Sequence, residues 1–319
     1  MNVRTSLLLG LALVVAFVAA LIVPLRPLLG VDRQLAGAVL VELRLPRALL
    51  ALTYGAMLGA SGAAIQALFA NPLASPDLTG TTSGAALGAV VTAYLLGFGA
   101  PIALSIGSVA GALGALLLLL ALAGPKAETA TLLLSGLAIS ALAGALTTLA
   151  LALAPSPFAF YDAYDWLMGS LIDRSLDQAA FAALPAFLTI ALLLRLGPAL
   201  DRLALGEEVA QSLGDNVVRL RLMVICLSAF GVGACVAICG AIGFIGLIAP
   251  IFARRLTGGH PGRAILPAAL IGALLLSLAD LTVRLAPLGR TLPIGVVTAL
   301  IGAPFFLWLV AHMRWRLSA

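Results

Sequence analysis

The sequence predicts an all-α polytopic membrane protein of about ten transmembrane helices. Of its 319 residues 62% are hydrophobic and only 10% are charged, and the apolar residues fall in long runs. A soluble domain averages about 45–50% apolar and about 25% charged residues, so no water-soluble core could absorb this chain. A spanning helix takes about 20 apolar residues, which leaves little beyond turns and short loops and excludes a sizeable soluble catalytic domain. The formal charge of +5 is spread singly between apolar runs, unlike the basic face of a nucleic-acid binder. Cys226, Cys235 and Cys239 share one apolar stretch and imply no disulfide framework. Cys235 and Cys239 fall on one helix face, but no His or acid stands beside them, so no metal site is expected.

The first segment, Met1 to Pro24, has the outline of a signal peptide, with Arg4, an apolar run from Leu7 to Val23 and the small residues Ala19 and Ala20. Its apolar run exceeds a signal core, so it is read as an uncleaved first helix. Further spans are expected at Arg47–Gln66, Leu78–Leu96, Pro101–Ala123, Thr129–Leu153, Ala179–Leu196, Ala264–Ala286 and Pro293–His312. Between Arg221 and Arg254 lie 32 uncharged residues, too many for one span and too few for two complete ones. Lys and Arg gather on the cytoplasmic side of membrane proteins. Two crossings put eleven basic residues inside and six outside, with Arg284 set aside as intramembrane, whereas one crossing gives eight inside to ten outside. Ten spans with both termini cytoplasmic are therefore predicted. The second crossing must be short and irregular around Gly240, Gly243, Gly246 and Pro250, and such backbone needs shelter by protein or a water-filled cavity.

The chain reads as one permease-like domain, 1–319, with an outer loop at 25–46, an acidic outer loop at 155–178 and an inner loop at 199–216. Small residues recur at one-turn spacing: Gly55 and Gly59; Gly80, Gly84 and Gly88; Gly107 and Gly111; Gly136, Ser140 and Gly144. In lipid, such stripes let helix backbones approach closely. An echo links Gly62 and Pro72 to Gly240 and Pro250, each pair ten residues apart, as an internal repeat would.

Three features bear on chemistry. A phosphate-binding loop needs Gly-Lys followed by Ser or Thr, yet the single lysine, Lys126, stands between Pro125 and Ala127, so this chain cannot hydrolyse ATP itself. Asp280 is the acid set well inside a span, and Arg284 lies one turn beyond it, which allows an intramembrane ion pair; a proton relay is the sharper alternative. The segment Leu205-Gly206-Glu207-Glu208-Val209-Ala210-Gln211-Ser212-Leu213-Gly214 reads as a short amphipathic helix between glycines, opening with two acids that suit a helix N-terminus. It is either a solvated surface helix or one that enters a groove on a cytoplasmic partner. Arg44 and Arg47 stand at the outer mouth of the second span, which Arg284 approaches, against the charge rule. They either snorkel to lipid phosphates or meet an acidic docking partner or anionic substrate. Asp162, Asp165, Asp173 and Asp177 make the 155–178 loop an acidic, solvated rim around Arg174.

Taken in order, Arg44-Leu45-Pro46-Arg47, Gly62 to Gln66 with Asn71-Pro72-Leu73-Ala74-Ser75-Pro76-Asp77 and Gly80, the Gly206 to Gly214 loop, Gly243 to Pro250, Asp280 with Arg284, and Leu292 to Gly295 running into Gly302 to Phe306 resemble the FecCD-like permeases. These are subunits of type II ABC importers for iron-siderophore complexes, haem and vitamin B12. The resemblance implies a homodimer or heterodimer of ten-helix subunits in the inner (cytoplasmic) membrane, with the path between subunits. It implies two cytoplasmic ATPase subunits, which bind ATP and Mg so that this chain holds no cofactor, and a periplasmic or lipid-anchored substrate-binding protein. It assigns Gly206, Glu207, Glu208, Ala210, Leu213 and Gly214 to coupling with the ATPase, and Arg44, Arg47 and Arg284 to docking of the binding protein. Gln66, Asn71, Pro72, Ser135 and Ser140 become candidates for the translocation path. Many members have His where this chain has Ile251 and Glu where it has Thr291. The expected cargo is an iron chelate such as a ferric siderophore, with haem or vitamin B12 as alternatives. An ion-gradient-driven secondary carrier is the rival from a different class, and a receptor or scaffold that moves nothing is the third reading.

Overall fold

The computed structural model describes residues 3–23, 33–98, 100–124, 129–154, 156–285 and 292–317. Its helices are α1 (Val3–Ile22), α2 (Arg33–Ala38), α3 (Leu45–Leu68), α4 (Thr81–Val90), α5 (Pro101–Ala123), α6 (Thr129–Ala152), α7 (Pro157–Leu167), α8 (Leu176–Leu203), α9 (Glu207–Ser212), α10 (Val217–Cys239), α11 (Ile245–Leu256), α12 (Ile265–Leu285) and α13 (Ile294–Leu317). Among the described residues six helices are long and apolar enough to cross a bilayer, and Leu7–Ile22, Thr81–Leu95 and Ile294–Leu309 are shorter apolar ones. The twelve-residue α11 is a further short helix beyond these nine, and the all-α polytopic architecture read from composition is the one observed.

Several boundaries differ from the sequence reading. The part of the outer loop 25–46 that is described is helical, because a π-helical turn at Val39–Arg44 joins α2 to α3 and makes one helix from Gln34 to Leu68. Pro46 has no N–H for an ordinary helical bond, and the widened turn just before it, in which the Leu45 N–H reaches back five residues to the Leu40 carbonyl, carries the helix past that gap. Residues 24–32 of that loop lie outside the described residues. The acidic loop 155–178 contains α7, and the inner loop 199–216 is the end of α8 followed by α9. The irregular crossing is confined to residues 240–244, since Gly246 and Pro250 lie within α11. The Gly/Pro echo does not survive either: Gly62 is inside α3 with Pro72 beyond its end, whereas Gly240 ends α10 and Pro250 is inside α11.

The buried centre is α3, α10 and α12, while α5, α6 and α8 show most of their surface. Leu50, Tyr54, Met57 and Ile65 of α3 pack with Leu193 and Leu200 of α8, Val224, Ile225 and Cys235 of α10, and Ile265 and Leu276 of α12. Lipid tails are as apolar as these side chains, so close van der Waals fit, more than the water-driven effect, holds the bundle together. The pairing of α3 with α12 is the most extensive in the molecule, followed by α4 with α5. At the first, Gly55 and Gly59 rest on the backbones of Gly272 and Ala268; at the second, Gly84 and Gly88 rest on Gly111 and Gly107. One turn of α11 shows the same device at a carbonyl. Pro250 offers no N–H to the oxygen of Gly246 four residues earlier, and Gly62 of α3 packs directly on that oxygen, where no Cβ fits.

Gly59→Ala should therefore overpack a backbone-on-backbone contact and lower stability by about 1–3 kcal/mol. Gly144→Ala, on an open face of α6 with nothing near its would-be Cβ, should shift stability by less than about 1 kcal/mol. Thermal unfolding of the two variants in one detergent checks both; equal midpoints would remove the packing role given to the α3–α12 crossing.

Candidate functional site

Three sites emerge, one at each end of the bundle and one at mid-depth. At the first end, the close of α1, the start of α3 and the close of α12 meet around one carboxylate. Asp280, 1% exposed, receives Arg47 Nε at 2.7 Å on one oxygen and lies 2.6 Å from Arg284 Nη2 on the other. Arg284 also donates from Nη1 to the carbonyl of Ala20 at 2.8 Å. Arg44, half-buried, lies within electrostatic range of both Arg47 and Arg284. The sequence paired Asp280 with Arg284 alone; the second partner, 233 positions away in the chain, comes only with the crossing of α3 and α12. Nearby on the same end, Asp165, Trp166, Ser170, Asp173, Arg174 and Pro293 line a polar cleft of about 360 Å³.

At mid-depth the chain leaves the helix between Cys239 and Ile245. Gly240 has φ 72° and Phe244 φ 67°, a left-handed backbone that is uncommon for a phenylalanine. The polar groups at this break are met from two elements, the second of them braced by a third. Tyr54 Oη donates to the Gly240 carbonyl at 3.1 Å and accepts from the Ile242 N–H at 3.3 Å. The Ser170 N–H donates to the Cys239 carbonyl at 2.8 Å, and Gly169 in turn accepts from Ile294 at 3.0 Å. Tyr54 was missed in the sequence, although a phenol in the middle of an apolar span needs a partner for its hydroxyl and marks such a place. Of the path candidates, Gln66 and Ser140 are tied to residues next to this region. Gln66 is fully buried and donates from Nε2 to the Leu247 carbonyl at 3.2 Å, pinning α3 to α11. Asn71 accepts from the Leu73 N–H at 2.9 Å in the turn after α3, next to half-buried Pro72. Ser140 donates to the Asp77 carbonyl at 3.0 Å, and Ser135 is half-buried on α6. The structure thus brings Gln66 to the break and ties Ser140 to the Pro76–Thr79 turn.

At the opposite end, α9 is held by charge. Arg202 clamps Asp215 through Nε and Nη2, both at 2.6 Å, closing the ends of the segment on each other. Glu207 accepts from Arg221 Nη2 at 2.8 Å while remaining exposed, and Glu208 is exposed as well. Ala210 is buried against the bundle, while Leu205, Val209 and Leu213, spaced by four, present an exposed apolar stripe. Gly206 and Gly214 bracket the helix with φ 115° and 91°, values that favour glycine over any residue with a side chain. Asp201 joins this end to α12, accepting from the Gly262 N–H at 2.8 Å. Among the described residues no group of three or more His, Cys, Asp or Glu could hold a metal ion.

An all-helical bundle with a sheltered break in one crossing, a caged acid at one end and an apolar-faced short helix at the other is the architecture of a multi-pass permease. Residues 5–312 match the model of the FecCD transport family, and the chain belongs to that family, permease subunits of type II ABC importers. It is 39% identical over 285 residues to the Fe(3+)-citrate import system permease protein YfmE of Bacillus subtilis, covering 89% of this chain and 84% of that one. It is 41% identical over 282 residues to the vitamin B12 import system permease protein BtuC of Vibrio cholerae, covering 85% and 82%. Among solved structures it superposes on a metal-chelate type ABC transporter in an inward-facing conformation with a TM-score of 0.86 and 33% identity, over 98% of this chain and 100% of that one.

The Arg202–Asp215 clamp yields a pH prediction. Its hydrogen bonds hold the Asp215 carboxyl below the ordinary aspartate value, outweighing the desolvation that opposes them. A carboxyl whose folded value is depressed contributes stability in full above its unfolded value, and loses it as pH falls through the folded one. Amides of residues 204–216 should therefore keep their hydrogen-exchange protection from pH 8 to pH 5 and lose it below about pH 4. In Asp215→Asn the protection should already be reduced at pH 7.

Proposed function

We propose that this chain is the membrane-spanning subunit of a binding-protein-dependent importer that carries an iron chelate, such as a ferric siderophore, across the inner membrane, driven by ATPase subunits on separate chains. The end bearing Arg44, Arg47 and Arg284 faces outward and receives an acidic binding protein. The end bearing α9 faces the cytoplasm, with both chain termini. A second permease subunit completes the path. The observation that carries this reading is the pairing of two unlike surfaces on opposite ends of one bundle: a cationic cluster suited to a carboxylate partner, and a short helix whose apolar stripe of Leu205, Val209 and Leu213 is open for a groove. The cargo assignment is supported by the likeness to an Fe(3+)-citrate permease and to a metal-chelate type transporter. Haem and vitamin B12 are the alternatives, the latter favoured by the equally high likeness to a vitamin B12 permease.

In this reading a loaded binding protein docks outside, releases its cargo into the cavity between subunits, and ATP binding and hydrolysis beneath rock the dimer through α9. The test is uptake of radiolabelled ferric chelate into vesicles. The chain with its ATPase and binding protein should import only with ATP inside the ATPase compartment, and the chain alone should import nothing. Import by the chain alone down a proton or sodium gradient would establish the secondary-carrier alternative instead.

Two substitutions probe the two ends. Arg44→Glu should weaken docking of the binding protein on the order of tenfold at low salt, with the difference from wild type shrinking as ionic strength rises. Leu213→Glu should place a charge in the apolar stripe, so that the ATPase no longer co-purifies or no longer responds to the loaded binding protein while membrane insertion continues. Retained ATPase binding and stimulation in Leu213→Glu would remove α9 from the coupling role.

A further inference from the structure

At the outward end the guanidiniums of Arg47 and Arg284, with Arg44 close by, converge on the single carboxylate of Asp280. Asp280 is nearly inaccessible, at 1% exposure, and cannot itself touch a partner. One arginine would suffice to neutralise it, and Arg284, a single turn away on the same helix, is already 2.6 Å from it. Arg47 comes from another helix and spends only its Nε on Asp280, at 2.7 Å. Its two Nη groups have no partner among the described residues, and the side chain is 17% exposed. Arg284 is held from two sides, by Asp280 and by the Ala20 carbonyl. A guanidinium gripped at Nε by a buried acid has its Nη fork fixed in direction, and that fork is the edge that matches an incoming carboxylate.

We infer that Asp280 is a positioning residue for docking: it aims the Arg47 fork outward, so that an acidic side chain of the binding protein meets a preorganised donor pair instead of a freely rotating one. This rests on the docking reading above and adds to it the residue that sets the geometry. The inference makes a prediction opposite in sign to simple electrostatics. Asp280→Asn adds one net positive charge to the cluster, so charge alone predicts tighter binding of an acidic partner. Loss of aim predicts weaker binding.

The measurement is the dissociation constant of the loaded binding protein on the assembled transporter in lipid nanodiscs, at two salt concentrations, with uptake kinetics in vesicles alongside. Asp280→Asn should bind on the order of tenfold more weakly, with the KM of uptake for the binding protein raised and the rate at saturation retained, a split that a general folding defect does not produce. Binding equal to or tighter than wild type overturns the inference. Asp280→Glu keeps the charge and displaces the carboxylate by one methylene. Should the asparagine variant fail to assemble, the glutamate variant is read instead: several-fold weaker docking supports aim, and wild-type docking overturns it. Arg44→Glu, measured in the same series, separates the two levels. Wild-type affinity there sinks the docking reading itself, whereas a weakened Arg44→Glu beside an unaffected Asp280→Asn leaves docking standing and removes only the positioning role.

Discussion

No water reaches the hydrocarbon core of a bilayer, so every backbone N–H and carbonyl there must be satisfied within the protein. The five residues between Cys239 and Ile245 interrupt the helical path between α10 and α11, and the packing around them shelters their polar groups. Tyr54 supplies a hydroxyl from α3 that acts as donor to Gly240 and acceptor from Ile242, the two roles one phenol can fill at once. The 166–170 segment covers the other side, with Ser170 on the Cys239 carbonyl and the carbonyl of Trp166 so close to Gly240 that no side chain could stand there. Gly302 of α13 lies against Phe244 in the same way. The break is therefore a fixed joint that α3, the 166–170 segment and α13 enclose together, and it turns the chain into the short α11.

That joint explains which helices are central. α3 supplies Tyr54 to the break, Gln66 to the Leu247 carbonyl, Gly62 to the Gly246 carbonyl and Arg47 to Asp280. Its small residues let α12 and α11 lie against it at backbone distance, and Arg47, Tyr54 and Gln66 each donate to one acceptor. Polar contacts between membrane helices are individually modest, on the order of 1 kcal/mol, so specificity comes from their number along one helix together with the close fit of the glycines.

The polytopic all-α architecture was legible because it depends on composition and run length, both local properties. The ambiguous stretch between Arg221 and Arg254 was settled by counting basic residues, and the observed α10, break and α11 fit two crossings. What local sequence could not show was how Pro46 is passed, since a proline reads as a helix start, whereas here the helix already runs into it through the π-turn at Val39–Arg44. The capping box of Ser175 and Gln178 at the start of α8 was present in the sequence and fixes that helix three residues earlier than its apolar run. In the segment around α9 the outline was readable from its glycines and acids, but the bond to Glu207 was not, because its donor, Arg221, lies on α10.

The same long-range pairings bind the two ends to one element. α12, 21 residues and about 30 Å long, carries Asp280 and Arg284 at one end. Just before its other end, the Gly262 N–H is held by Asp201, whose neighbour Arg202 closes the α9 segment onto Asp215. A helix is stiff along its axis, and the crossing with α3 at Gly55 and Gly59 leaves no slack for sliding without breaking backbone contact. A load placed on the arginine cluster would therefore have a direct route to the α9 end in displacement of α12 as a body, beside the route through α3 and α8. Such displacement has two discrete obstacles, the Asp280 ion cluster and the Asp201–Gly262 bond, and a transport cycle that moves α12 must exchange the partners of both.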